Sequence, residues 1–175
     1  MSDRSDPLVA AAGVIAQIPS VASKHDGARA TVGRVQPLPG GTNVIASRVD
    51  VWLDVRHPGD VVTAVVVEQV ARLAEELAAV QGCGFELREE SLSPTTSFDP
   101  ALRRRLEAAL PGTPVLDTGA GHDAGILAAH VPTAMLFVRN PTGISHAQEE
   151  SVEDADAETG AEVLAEVLMS DLGID

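Results

Sequence analysis

The chain has 175 residues, 45% of them hydrophobic, enough to build a core in one domain or two small ones. Its 26 Asp and Glu against 12 Lys and Arg give a net charge of −14, which repels phosphate backbones and anionic lipid and so argues against nucleic-acid and membrane partners. The single cysteine, Cys83, cannot form an internal disulfide, no apolar run approaches membrane-spanning length, and the first residues lack a basic n-region, so a cytoplasmic protein is expected.

Asp6 followed by Pro7 predicts a capped helix over about residues 7–18, with Pro19 marking its end. "ARATVGRVQPL" reads as a strand. After the turn "PGG", a second strand is predicted over "TNVIASRVDVWLDVRH". In it Val49, Val51, Leu53 and Val55 alternate with Asp50, Trp52, Asp54 and Arg56, so one face is buried and the other largely polar. An amphipathic helix follows over about 61–80, with Glu68 and Arg72 spaced as an i,i+4 pair and Gly82 as its stop. "CGFELREES" reads as a further strand. This order is that of a ferredoxin-like βαββαβ unit lacking its first strand.

"SPTTSFDP" is a break in composition and the best linker candidate, which divides the chain into residues 1–93 and 94–175. Beyond it, Asp99 and Pro100 repeat the cap-plus-proline start for a helix through "ALRRRLEAAL". "PVLDT" is a predicted short strand feeding the glycine loop "GAGHDAG". A helix over "AGILAAH", a buried strand "TAMLFV" and a last helix over roughly 153–171, capped by Ser151, complete the order. These β-loop-α units point to an α/β fold, and two parallel strands are too few to cover both faces of a sheet alone.

Each candidate for chemistry has a plain structural competitor. Gly119, Gly121 and Gly125 are spaced G-x-G-x-x-x-G, which departs from the dinucleotide fingerprint, and no acidic residue stands about 20 residues on. His122 and Asp123, taken alone, suit a helix cap. His146 alone reads as a loop histidine, because a metal needs three or four ligands and nothing near it in sequence supplies the rest. Asn43 and Arg56 lie at opposite ends of one predicted strand and could bind an anion; the competing reading pairs Arg56 with Asp54. The pairs Glu75–Glu76, Glu89–Glu90 and Glu149–Glu150 read as solvated surface charge, because adjacent side chains diverge. No serine sits on a nucleophile elbow.

The stretches "RSDPLVAAA", "ATVGRV", "GGTNVIASRVDVWLDVRH", "TGAGHDAG", "TAMLFVRNPTGISHAQEE" and "EDADAETGAEVLAEVL" occur in an order that resembles the C-terminal part of the M20-family dinuclear metal amidohydrolases. The resemblance is to the branch of allantoate amidohydrolases, N-carbamoyl-L-amino-acid hydrolases and β-ureidopropionases. It implies that residues 1–93 form a lid and dimerisation domain, and that residues 94–175 form the C-terminal β-loop-α portion of a metallopeptidase-like catalytic domain. It further implies that His146, in "GISH", is a metal ligand and that Asn43 and Arg56 hold the substrate carboxylate across a dimer interface. His122 and Asp123 would line the cleft. The cofactor implied is a pair of divalent ions, zinc or manganese, and the substrate a small ureido or N-carbamoyl carboxylate.

The family's remaining metal ligands and its catalytic Glu belong to a first half not found in these residues, so no catalytic residue is assigned to this chain. Gln148 stands where relatives usually have proline. The expectation is therefore a homodimer-forming C-terminal segment that binds metal weakly and hydrolyses nothing by itself, with an N-terminal half supplied separately as one way to complete it. The alternative is a non-catalytic dimerisation or small-carboxylate-binding module.

Overall fold

A computed structural model describes residues 3–172 and divides the chain between Thr95 and Thr96 into two compact units. The first contains helix α1 (Pro7–Ala22), strand β1 (Arg29–Leu38), strand β2 (Arg48–Arg56) and helix α2 (Asp60–Val80). The second contains helices α3 (Pro100–Ala109), α4 (Asp123–Leu127) and α5 (Asp154–Leu172). Among the described residues no helix is long and apolar enough to cross a membrane.

Asp6 caps α1 as its position before Pro7 predicts: its carboxylate accepts the Leu8 N–H at 3.1 Å and a bond from Arg4 at 2.7 Å. The Arg4 guanidinium holds the Asp6 carboxyl below the usual carboxylate range. The helix does not stop at Pro19. It continues to Ala22, although proline offers no N–H to the carbonyl four residues back. The reason lies in packing, since Ile18, Val21 and Ala22 are all buried, and extending the helix keeps them in the core.

β1 and β2 pair antiparallel, with Ala30 opposite Val55 and Val32 opposite Leu53, and the register slips between Val32 and Arg34. Ala30, Val32, Leu53 and Val55 pack against the core cluster of Val14, Ile18, Val21, Val66 and Val70, which joins the inner faces of both helices to one face of the hairpin. Val66 is fully buried. On the other face Arg34 stacks over Trp52 with its guanidinium carbon 4.2 Å from the ring centroid, and Arg48 pairs with Asp50 at 2.7 Å.

β2 is shorter than its alternation predicts. Residues 42–47 lie outside it, and Ser47 closes the connection by donating through both its N–H (2.8 Å) and its Oγ (3.0 Å) to the Leu38 carbonyl. Residues 83–91, predicted as a further strand, are not assigned as one, and the sheet has two strands. Side chains of that segment do reach β2, since Trp52 Nε1 donates to Glu90 at 3.0 Å. A strand, however, requires main-chain pairing in register, which alternation alone does not supply.

α2 ends in a Schellman motif: the Gly82 N–H donates to the Ala79 carbonyl and the Cys83 N–H to that of Ala78, with Gly82 at φ +66°. The Glu68–Arg72 pair forms on its exposed face. At its start the Asp60 carboxylate accepts from the Thr95 hydroxyl at 2.7 Å and the Thr95 N–H at 2.9 Å. These bonds hold the Asp60 carboxyl below its ordinary range and tie the end of the first unit to the head of α2.

In the second unit Asp99 caps α3, accepting from the Ala101 and Leu102 N–H groups at 2.9 and 2.8 Å. Neither residues 114–118 nor 133–138 are assigned as strands, and Phe137 and Val138 are exposed rather than buried as predicted. Ser151 is not the cap of α5; it lies outside the helix, where the Glu153 carbonyl accepts the first bonds, from Asp156 and Ala157. Among the described residues every buried apolar side chain belongs to the first unit. A strand buried on both faces needs neighbours to take its amides and cover its side chains, and the described residues of this unit provide none.

A close approach in the second unit is at Gly160 of α5, where an added Cβ would stand 2.8 Å from Val138 Cγ2. Gly160→Ala gains roughly 1 kcal/mol of helix propensity and forces an overlap costing about 1–3 kcal/mol. A lowered urea midpoint is expected, whereas an exposed helical glycine would show a raised one.

Candidate functional site

The candidate residues fall in both units. In the first, Asn43 lies in the loop between β1 and β2, not on the strand that its pattern predicts, and Arg56 is the last residue of β2. Arg56 makes the pairing that competes with an anion site in the sequence: its Nε lies 3.0 Å from Asp54 Oδ1 and its guanidinium nitrogen 2.8 Å from Asp54 Oδ2. The contact holds the Asp54 carboxyl below its usual range and raises the Arg56 guanidinium. Both side chains are about half exposed, at 54% and 51%, which makes this a solvent-screened pair of roughly 0–1 kcal/mol.

In the second unit His122 occupies the N-cap position of α4, and its carbonyl accepts the Gly125 N–H at 2.9 Å. The imidazole makes no capping bond. Its Nε2 sits 3.0 Å from Thr118 Oγ1, and its ring meets Phe137 edge-on at 6.3 Å between centroids. Thr118 Oγ1 also accepts the Ala120 N–H at 3.2 Å, so one hydroxyl ties the glycine loop to the His122 ring. Asp123 is the first residue of α4 and places an acid in its first turn.

His146 stands exposed on the loop after residue 139 with its backbone at φ +58°, in the left-handed region. The Glu150 carboxylate accepts the His146 N–H at 2.9 Å, so Glu150 is more than the solvated charge its sequence suggests. The turn that precedes His146 is organised by Asn140. Asn140 Oδ1 accepts from the N–H of Thr142 (3.2 Å), the hydroxyl of Thr142 (3.0 Å) and the N–H of Gly143 (3.0 Å), while its Nδ2 donates to the Ile144 carbonyl at 2.7 Å. Arg139 anchors the loop's start to α5 through Asp156 at 2.8 Å.

Sequence reasoning passed over Asn140 and Thr118. The signal for Asn140 was present: "NPTG" has Asn, Pro and Gly at the first, second and fourth positions that a type I turn favours. Nothing local marks Thr118, whose partner is four residues away across a glycine loop.

Among the described residues no group of three or more His, Cys, Asp or Glu could hold a metal ion. A hydrolytic metal centre needs about three or more protein ligands, which these residues do not bring together.

The profile of peptidase family M20/M25/M40 matches residues 7–170. The chain belongs to that family. It is 31% identical to the N-carbamoyl-L-amino-acid amidohydrolase of Pseudomonas sp. (strain NS671), over 97% of this chain and 42% of that protein. To the probable allantoate deiminase of Oryza sativa subsp. japonica it is 30% identical, over 89% of this chain and 38% of that one. A crystal structure of a hydantoinase/carbamoylase family amidase from Burkholderia vietnamiensis superimposes with a TM-score of 0.87 at 35% identity, over 97% of this chain and 42% of the other. This M20 chain thus spans about two fifths of the length of the relatives it matches.

Thr118→Val removes the hydroxyl that the His122 ring and the Ala120 amide share, and leaves a similar volume. The imidazole nitrogen signals of His122 in a ¹⁵N NMR spectrum are expected to shift and the Ala120 amide to exchange faster, with the unfolding free energy lowered by no more than roughly 1 kcal/mol.

Proposed function

We propose that this M20 chain is the C-terminal segment of a longer metal-dependent amidohydrolase that cleaves a C–N bond of an N-carbamoyl or ureido amino acid. Residues 1–93 would serve as its lid and dimerisation domain and residues 94–175 as the C-terminal portion of its catalytic domain. The observation that carries this reading is family similarity running almost end to end, over residues 7–170, in a chain two fifths the length of amidohydrolases that act on such substrates. The second unit supports it. Val115, Leu116, Phe137, Val138, Leu164 and Leu168 are all exposed there, apolar surface of a kind that is normally covered.

In this reading His146 is one ligand of a two-metal centre of zinc or manganese, whose other ligands and catalytic Glu come from residues outside this chain. The metal pair, when bound, supplies the Lewis acidity for hydrolysis. His122 and Asp123 line the cleft beside it, and Thr118 holds the His122 ring. Asn43 and Arg56 receive the substrate carboxylate. The Arg56–Asp54 pair is no obstacle, because an exposed pair worth roughly 0–1 kcal/mol exchanges readily for another carboxylate.

Mixed with the N-terminal part of the Pseudomonas relative, the chain is expected to gain bound metal by mass spectrometry and to release ammonia from N-carbamoyl amino acids. His146→Ala should remove most of both; equal metal and turnover in the variant would take His146 out of the centre, and stoichiometric metal with turnover in the chain alone would refute the segment reading.

In the same pair Arg56→Lys keeps the charge and loses the planar fork, at a cost on the order of 1.5–3 kcal/mol in carboxylate recognition. The loss should appear mainly as a raised KM. An unchanged kcat/KM would return Arg56 to a role on the strand surface.

A further inference from the structure

The loop that carries His146 is held by side chains that the proposed reaction does not use. Three bonds converge on Asn140 Oδ1, two from main-chain amides and one from the Thr142 hydroxyl, and Nδ2 reaches across the turn to the Ile144 carbonyl. The Thr142 hydroxyl oxygen in turn accepts the Ile144 N–H at 3.2 Å. Gly143 at φ +67° lets the chain reverse, and two residues past Ile144 the backbone of His146 is itself left-handed at φ +58°. Few residues other than glycine adopt that conformation without support, and here support comes from both sides. Asn140 fixes the turn before His146, and Glu150 takes the N–H of His146 from the segment after it.

A chain reversal exposed to water needs no such network in order to exist. A side chain that must stand at one place does need it, because an imidazole on an unrestrained loop would sample many positions. We infer that Asn140 is a positioning residue for His146: it locks the 140–144 turn so that, with Glu150 holding the His146 amide, the imidazole is presented in a single orientation. The inference rests on the proposed role of His146 only for the use to which that orientation is put. The locking itself is a property of this chain.

Two variants separate the possibilities. Asn140→Ala removes all four side-chain bonds, whereas Asn140→Asp keeps an acceptor for Thr142 and Gly143 and loses only the donor to Ile144. In the full 175-residue chain, amide hydrogen exchange at Thr142, Gly143 and His146 is expected to quicken at least tenfold in Asn140→Ala, while exchange across α3 and α5 and the melting temperature stay near the parent's. Asn140→Asp should restore most of the protection.

In the pair completed with the N-terminal part of the relative, Asn140→Ala should weaken zinc affinity, measured by competition with a chelating dye, roughly ten- to hundredfold. Asn140→Asp should recover most of that affinity. Unchanged exchange at His146, or released amides with unchanged zinc affinity, would overturn the inference. A His146→Ala control that leaves zinc affinity intact would instead sink the ligand role of His146, and the exchange data would still decide whether Asn140 holds it.

Discussion

Burial of Val66 against Ile18 and the apolar face of the hairpin is the interaction on which the well-packed part of the molecule depends. It requires α1 and α2 to lie on the same side of the sheet, with Val32 and Leu53 facing them. That fixes the register of the strands, since a slip of one residue would turn Trp52 and Asp54 inward. It also accounts for α1 running through Pro19. The missing main-chain bond is offset by Val21 and Ala22 reaching the core, and a helix ended at the proline would leave them outside it.

The second unit obeys the same physics with a different result. Its segments 114–118 and 133–138 have the composition of buried strands, but composition by itself supplies no neighbouring strand to bond with. Apolar residues such as Phe137 and Leu168 are left exposed. The order in the loops around His122 and His146 comes from local polar devices rather than from a core. Thr118 gathers the glycine loop to His122, Asn140 gathers the turn before His146, Glu150 holds the His146 amide, and Asp156 ties the start of that loop to α5. Such networks are self-contained, which is why they are formed among residues that bury so little.

The acidic character of the chain fits this arrangement. With 26 acidic against 12 basic side chains, the arginines are largely spoken for by nearby carboxylates, at Arg48–Asp50, Arg56–Asp54 and Arg139–Asp156. Most of these are exposed pairs of small energy, so they bias side-chain direction more than they stabilise the fold. At Arg56 the guanidinium fork faces the two oxygens of the Asp54 carboxylate.

Sequence by itself determined the features that depend on near neighbours: the Asp6 and Asp99 caps, the proline starts of α1 and α3, the Schellman stop at Gly82, the Glu68–Arg72 pair and the turn of Leu53 and Val55 toward the core. Each is written within a few residues, and each formed. The candidate histidines His122 and His146 stand out as residues within motifs, but their surroundings do not. Tertiary structure decided what depends on distant partners: that α1 survives Pro19, that β2 begins at Arg48 and leaves Asn43 in a loop, and that residues 83–91, 114–118 and 133–138 are not strands. It also decided that Glu150 holds the amide of His146. Caps and turns close their own hydrogen bonds, whereas a strand or a buried helix end exists only if another part of the molecule meets it, and alternation along the chain carries no record of whether it does.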